Sequence, residues 1–341
     1  MPKVVCFGEV MLRLSPPGYE RIVQANSFDI IFGGAEANVA VSLANYGMDV
    51  AFVTRLPHNP IGDACRNELR KFGVDVSNIV RGGDRMGVFY CEKGAALRPS
   101  NVIYDRAGSA IATATVEDFD WERILDGADW FHFTGITPAL SDSVAAITER
   151  ACKVAAARGV KVSCDLNYRK KLWSREKAGQ VMGRLMQYVD VLIANEEDAA
   201  DVFGIHAEGS DIHAGRLTET GYRQVARQLV DRFALRQAAI TLRESRSASD
   251  NGWSGLLYED GGDCYHSHHY DIHIVDRVGG GDSFGAGLIY GQLAGMGLQD
   301  ALEFAVAASA LKQTIEGDFN MVSVREVQSI LGGNASGRVQ R

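Results

Sequence analysis

The densest concentration of chemistry-bearing residues is Asp276-Arg277-Val278-Gly279-Gly280-Gly281-Asp282-Ser283-Phe284-Gly285-Ala286-Gly287. Three successive glycines between a strand and an apolar helix let backbone N–H groups approach a ligand with no Cβ in the way. The helix that follows aims its unpaired amides and the positive end of its dipole at the same point, which makes an anion site. An aspartate beside bound phosphate is unfavourable unless it has a proton to take, so Asp282 reads as a general base. The ordinary alternative is a glycine-rich turn before a buried helix. Glycine inside a helix costs about 1 kcal/mol relative to alanine, so Gly285, Gly287 and Gly291 require a packing reason.

The same stretch contains a decoy. Gly281-Asp282-Ser283-Phe284-Gly285 fits G-x-S-x-G, which in hydrolases needs a strand running into the serine and a histidine downstream. Here glycines precede the serine, and all eight histidines lie upstream of it, the last being His273. Neither a P-loop nor a dinucleotide fingerprint is present. His266, His268, His269 and His273 look like a metal cluster, but on one strand they divide between its two faces, so a polar strand is expected.

Three further segments could contact a ligand. Gly33-Gly34-Ala35-Glu36-Ala37-Asn38 opens an alanine-rich helix, where paired glycines permit a hinge or a close approach and Asn38 is either a ligand contact or a cap. Asp165-Leu166-Asn167-Tyr168-Arg169 continues a strand at its carboxyl end, where open α/β sheets bind ligands. By alternation Asp165, Asn167 and Arg169 share a face, and the arginine fork suits a carboxylate or phosphate, or else a surface ion pair. Asn195-Glu196-Glu197-Asp198 is explained equally by a helix N-cap and by carboxylates near hydrated Mg²⁺.

Short apolar runs alternate with amphipathic segments to position these groups. Residues 4–10, 50–56, 130–134, 160–166, 189–194 and 238–242 read as strands, and 61–72, 141–158, 175–188, 221–233 and 298–313 as helices. Strand–helix alternation with near-continuous apolar strands predicts an α/β fold with a parallel sheet covered on both faces. Residues 12–32 and 87–106 break the pattern as half-polar strands, with Val102, Tyr104 and Arg106 on one face. A small sheet inserted in an α/β body is expected to be a lid over the ligand cleft. The expected organisation is one domain over residues 1–331 carrying these lid segments, then a flexible polar tail over 332–341.

Composition agrees. The 341 residues are 46% hydrophobic and 23% charged, enough for a large core. A net charge of −8 argues against nucleic acid or an anionic membrane as partner. Six scattered cysteines without a CxxC pair, and an apolar amino-terminal run cut short by Glu9, predict a reduced cytoplasmic setting with no membrane span.

Taken together, the Gly33-Gly34…Asn38 and Asp276…Gly279-x-Gly281-Asp282 segments resemble the two signatures of the PfkB (ribokinase-like) carbohydrate kinases. Residues 8–17, 165–173, 276–284 and Gly317-Asp-Phe-Asn320 look most like that family's 2-keto-3-deoxygluconate kinase branch. The resemblance implies a three-layer ribokinase-like fold, ATP and Mg²⁺ as cofactors, and Asp282 as base beside an anion hole from Gly279, Gly280 and Gly281. It implies a sugar pocket from Gly34, Asn38, Tyr90, Tyr104, Arg106, Asn167 and Arg169. Asn195 and Asp198 match its N-x-x-E segment near Mg²⁺, with aspartate where the wider family has glutamate. Thr241 falls on the nucleotide side, and Arg243, in place of the usual T-x-G glycine, is expected to touch phosphate. Arg13 stands where neutral-sugar kinases of the family tend to carry an aspartate and would favour an anion, while Arg106 and Arg169 would take a sugar carboxylate. The expected substrate is therefore 2-keto-3-deoxygluconate, phosphorylated on its terminal hydroxyl. A neutral-sugar fructokinase or ribokinase and a silent sugar-acid sensor are the alternatives. Exposed lid edges invite a homodimer through the lid.

Overall fold

The computed structural model describes residues 1–207 and 219–333, so the tail expected over 332–341 lies almost wholly outside the described residues. The first third of the chain lays down β1 (Lys3–Phe7), β2 (Met11–Ser15), β3 (Asp29–Gly33), α1 (Ala35–Asn45), β4 (Asp49–Val53), β5 (Arg55–Leu56), α2 (Pro60–Lys71), β6 (Val80–Arg81), β7 (Val88–Glu92) and β8 (Asn101–Asp105). There follow α3 (Trp121–Ile124), β9 (Trp130–Thr134), α4 (Asp142–Ala157), β10 (Lys161–Asp165), α5 (Arg175–Leu185), β11 (Val191–Ala194), α6 (Glu196–Phe203) and α7 (Glu219–Phe233). The last third holds β12 (Gln237–Ser245), β13 (Asp250–Glu259), β14 (Cys264–His266), β15 (Tyr270–His273), α8 (Gly280–Leu293), α9 (Leu298–Lys312) and α10 (Val324–Leu331).

Nine strands form the central sheet in the order β14-β13-β12-β11-β10-β9-β1-β4, with β15 also on β13. From β4 to β12 every pairing is parallel; β13 and its two neighbours turn antiparallel. Alternate residues of each strand enter opposite cores. Val5, Phe7, Phe131, Phe133, Leu192 and Ile240 pack under the helices of the middle of the chain. Val4, Cys6, Trp130, Val191, Ile193 and Ala239 pack against α1, α8 and α9. This is the three-layer ribokinase-like arrangement, and it explains the apolar runs: a strand covered on both faces has no solvent side.

Two expectations need adjusting. The strand over 50–56 breaks at Thr54 into β4 and β5, and the polar strand expected for 266–273 is two short strands, β14 and β15, that run in line along β13 with residues 267–269 interrupting them. The α8 glycines have their packing reason. A Cβ on Gly287 would come within 2.6 Å of the Ala305 backbone, and one on Gly291 within 2.7 Å of the Ala301 side chain, so these positions let α8 lie directly on α9.

The lid is a separate four-stranded sheet, β3-β2-β7-β8. Its inner face carries Met11, Phe89 and Cys91, which pack with Val102 and with Val278, just before the triple glycine.

Candidate active site

The glycine loop is built as an open amide cradle. Gly279, at φ +82°, is the N-cap of α8; a side chain there would be strained and would crowd Lys312 Cε at 3.2 Å. Gly281 lines the cleft, and a Cβ there would meet nothing within 4 Å. The Asp276 carboxylate secures the loop's entry, accepting from Val278 N at 3.1 Å and Gly317 N at 3.2 Å. Ser309 Oγ donates to Gly280 O at 2.6 Å from α9.

Asp282 sits in the first turn of α8, and its Oδ2 accepts from Asn38 Nδ2 at 2.7 Å. Burial pushes its carboxyl up to about 6, against the opposing pull of the Asn38 bond and of Arg169. A base of that strength is unprotonated at neutral pH yet accepts a proton readily. Gly34, the N-cap of α1, donates to Asn38 Oδ1 at 3.3 Å. A Cβ at Gly34 would strike the Glu9–Val10 backbone, so the paired glycines serve close packing.

β10 ends at Asp165, and strand alternation does not continue beyond it. Asn167 lies at φ +39°, a conformation asparagine tolerates, and its N donates to Asp165 Oδ1 at 3.1 Å. The turn still delivers Asp165, Asn167 and Arg169 into one cleft, so the expected shared face arises from a left-handed residue rather than from the pleat. Asn195 caps α6, its Oδ1 accepting from Asp198 N at 2.7 Å, while Asp198 Oδ1 accepts from Tyr168 N at 3.1 Å. Burial pushes Asp198 up to about 7. Burial, then repulsion from Asp198 and Asp282, lifts Asp165 well above the usual carboxylate range. Among the described residues no three His, Cys, Asp or Glu side chains stand close enough to hold a metal directly.

The lid corrects three expectations. In β7, Phe89 is the residue that lines the cleft; Tyr90 points to the opposite face and packs on Phe28 at 6.0 Å between ring centroids. One residue of register moves a strand side chain to the other face. Tyr104 and Arg106 do line the cleft, Tyr104 against the Phe89 ring. Arg106 is not a free cation: its Nε donates to Glu9 Oε2 at 2.8 Å, its Nη2 to the same oxygen, and Ser109 Oγ holds the other Glu9 oxygen at 2.5 Å. Arg13 does not line the cleft. It is fully buried under the lid, bonded to Asp318 Oδ1 at 2.6 Å and Asp276 Oδ2 at 2.7 Å. Arg169 is solvent-exposed and donates to its neighbour's carbonyl, Tyr168 O, at 3.2 Å.

Thr241 and Arg243 line the far side of the same cleft, Arg243 lying over the Trp253 ring at 5.8 Å, with Arg277 nearby. The part of the cleft at the glycine loop has a volume of about 300 Å³ and shares Tyr104, Arg106, Arg169 and Asp198 with a wider pocket of about 1530 Å³ between the lid and the 168–206 region. Ser283, the decoy nucleophile, is buried and accepts from Asn320 Nδ2 at 2.7 Å. Glu9, Phe89 and Asp318 escaped the sequence reading as site residues. The apolar alternation of Met11, Phe89 and Cys91 was the available signal for Phe89.

A lidded α/β body with a glycine-lined helix N-terminus and an adjacent buried carboxylate at the strands' carboxyl ends is the ribokinase-like arrangement. The model for the pfkB family carbohydrate kinases matches residues 1–323, and this chain belongs to that family. It is a carbohydrate kinase. A crystal structure of 2-dehydro-3-deoxygluconokinase from Thermotoga maritima superposes with a TM-score of 0.94 at 54% identity, covering 98% of this chain and 100% of that one. A 2-dehydro-3-deoxygalactonokinase from Haloferax volcanii is 35% identical over 98% of both chains. A 2-dehydro-3-deoxygluconokinase from Bacillus subtilis is 29% identical, covering 94% of this chain and 93% of the relative. No helix among the described residues is long and apolar enough to cross a membrane.

Proposed function

We propose that this chain transfers the γ-phosphoryl group of ATP to the terminal hydroxyl of 2-keto-3-deoxygluconate. The observation that carries the reading is Asp282 in the first turn of α8, beside the Gly279–Gly281 amides and in one cleft with Arg169. The two relatives at 54% and 35% identity bear names of acidic keto-sugar kinases, which supports a carboxylate on the substrate. Arg169 receives that carboxylate, with Tyr104, Asn167 and Asn38 lining the sugar side and Thr241 and Arg243 the nucleotide side.

Asp282 takes the hydroxyl proton as the sugar oxygen bonds to the γ-phosphorus. The bond from that phosphorus to the β-phosphate bridging oxygen breaks, and ADP leaves with the electron pair. The glycine amides receive the charge on the transferring oxygens; one such preorganised donor is worth about 3 kcal/mol, roughly a hundredfold in rate. The lid, resting on Val278 through Met11 and Phe89, keeps out water that would otherwise accept the phosphoryl group. No three carboxylates among the described residues could bind Mg²⁺ directly, but the mutual repulsion of Asp165, Asp198 and Asp282 suits a hydrated cation nearby. Asn195 and Asp198 would hold it through water, where it offsets phosphate charge.

The test is ADP release coupled to a spectrophotometric readout, across 2-keto-3-deoxygluconate, its galactonate-type epimer, fructose and ribose. Turnover of a neutral sugar above the keto acids would overturn the substrate; no ADP with any sugar would leave only a sensor.

The outer lid face presents Ile30 at 68% and Ile103 at 47% exposure, and a second copy covering it makes a homodimer. A cytoplasmic setting suits the six scattered cysteines, which include no CxxC pair.

A further inference from the structure

Beneath the glycine loop lies a buried charge cluster with a feature the mechanism above does not use. Lys312, the last residue of α9, is fully buried. Among the described residues its ammonium makes no salt bridge with a carboxylate. Instead it donates to three main-chain carbonyls: Gly317 O at 2.6 Å, and Asp276 O and Ile315 O at 3.3 Å each. A lysine ammonium has three donors, and all three are spent on this cage. The cage joins two segments that build the site. Asp276 starts the loop leading to Gly279, and Gly317 precedes Asp318, whose carboxylate holds Arg13. The stem of Lys312 also lies against Gly279, where the chain takes its left-handed turn.

We infer that Lys312 is a positioning residue: its ammonium acts as a built-in monovalent cation, caged by backbone oxygens, that holds the glycine loop in its phosphate-receiving shape. Main-chain carbonyl cages of this kind suit potassium and ammonium ions as well as a tethered ammonium. Two buried cations, Lys312 and Arg13, face two buried carboxylates, Asp276 and Asp318, so removing either cation leaves negative charge uncompensated directly under the amides that must receive phosphate. The burial that depresses Lys312's affinity for its proton is opposed by Asp276 and Asp318. This role rests on the assignment of Gly279–Gly281 and Asp282 given above, but the cage itself can be read without turnover.

The experiment is Lys312→Ala, purified in tetramethylammonium buffer, whose cation is too large for the cage. Its melting temperature is followed as ammonium or potassium chloride is added, and turnover is measured in parallel. The variant is expected to gain melting temperature saturably with ammonium and potassium, while the wild type responds to neither. Its kcat should fall by about a hundredfold, the scale of a lost preorganised donor, with KM for both substrates nearly unchanged, and ammonium should restore much of the loss. A wild type activated by potassium, a variant with native kcat, or a cooperatively melting variant indifferent to every cation would each overturn the assignment. If Lys312→Ala does not fold, Lys312→Met keeps the stem volume without the charge. A kcat loss at native KM supports the role there, and native kcat overturns it. An inactive wild type alongside a cation-responsive Lys312→Ala melt would instead sink the kinase reading and leave the cage standing.

Discussion

Asn38 Nδ2 donates to Asp282 Oδ2 at 2.7 Å although 244 residues separate the two in sequence. The bond ties the first turn of α1 to the first turn of α8, so the two glycine-flanked helix starts are two sides of one site. It also leaves the other carboxylate oxygen, Oδ1, to meet an acceptor alcohol. Asp282→Asn retains shape and hydrogen bonding but has no basic oxygen for the proton. It is expected to lower kcat by roughly 10²–10⁴-fold, the usual share of general base catalysis. Sugar binding, measured by calorimetry, should stay within reach of the wild type. Native turnover in this variant would remove the base assignment.

The pH dependence follows from the same carboxylate. Its value of about 6 in the free protein means the base form is present above that pH and lost as pH falls through it. The rate constant kcat/KM, which reports free-enzyme groups, should therefore drop about tenfold per pH unit below 6 and level off above it. Asn38→Ala removes a bond that favours the ionised form, so the inflection should move upward. A profile flat to pH 5 would contradict both statements.

Much of this was legible in the residue order. Strands covered on both faces read as unbroken apolar runs, and the triple glycine ahead of an apolar helix marks the helix start that lines the cleft. What escaped was decided by partners distant in sequence. Arg13 looked like a ligand-facing cation because its type suits an anion, but its counter-charges, Asp276 and Asp318, lie more than 260 residues away. Arg106 was claimed by Glu9 in the same manner. Tyr90 failed for a local reason: residue type favoured the tyrosine, whereas strand register put Phe89 on the cleft side. Asn167 reaches the cleft for a reason other than the one expected, since its left-handed turn replaces the alternation.

Arg13 is thus a structural cation, and a change there should be read in stability. Arg13→Ala strands two buried carboxylates, which costs about 3–5 kcal/mol when one partner of a buried pair is removed. Urea titration should show a lowered midpoint with an unchanged slope. If the midpoint holds and only KM for the keto acid rises, Arg13 binds substrate after all.

The lid surface makes a separate prediction about assembly. Ile30→Asp places a charge on the exposed outer face, away from the inner-face residues Met11, Phe89 and Cys91. Multi-angle light scattering should move from dimer to monomer mass. A wild type that is already monomeric at micromolar concentration would end the dimer proposal.

Arg106 and Arg169, two of the arginines that line the cleft, differ in what they have left to give. Arg106 spends its Nε and Nη2 on Glu9, so its charge is already balanced, whereas Arg169 reaches the cleft from a turn with a carbonyl as its hydrogen-bonded partner. A hydrogen bond to a charged group contributes about 1.5–3 kcal/mol. Arg169→Ala should therefore raise KM for the keto acid roughly ten- to a hundredfold, leaving KM for ATP nearly unmoved. Arg106→Ala should act differently, because it strands Glu9 and loosens the lid: both KM values and thermal stability should suffer together. The comparison is made by measuring both variants against the keto acid and against a neutral analogue lacking the carboxylate. Against that analogue, Arg169→Ala should lose almost nothing relative to the wild type. Equal losses on the two sugars would show that Arg169 does not read the carboxylate.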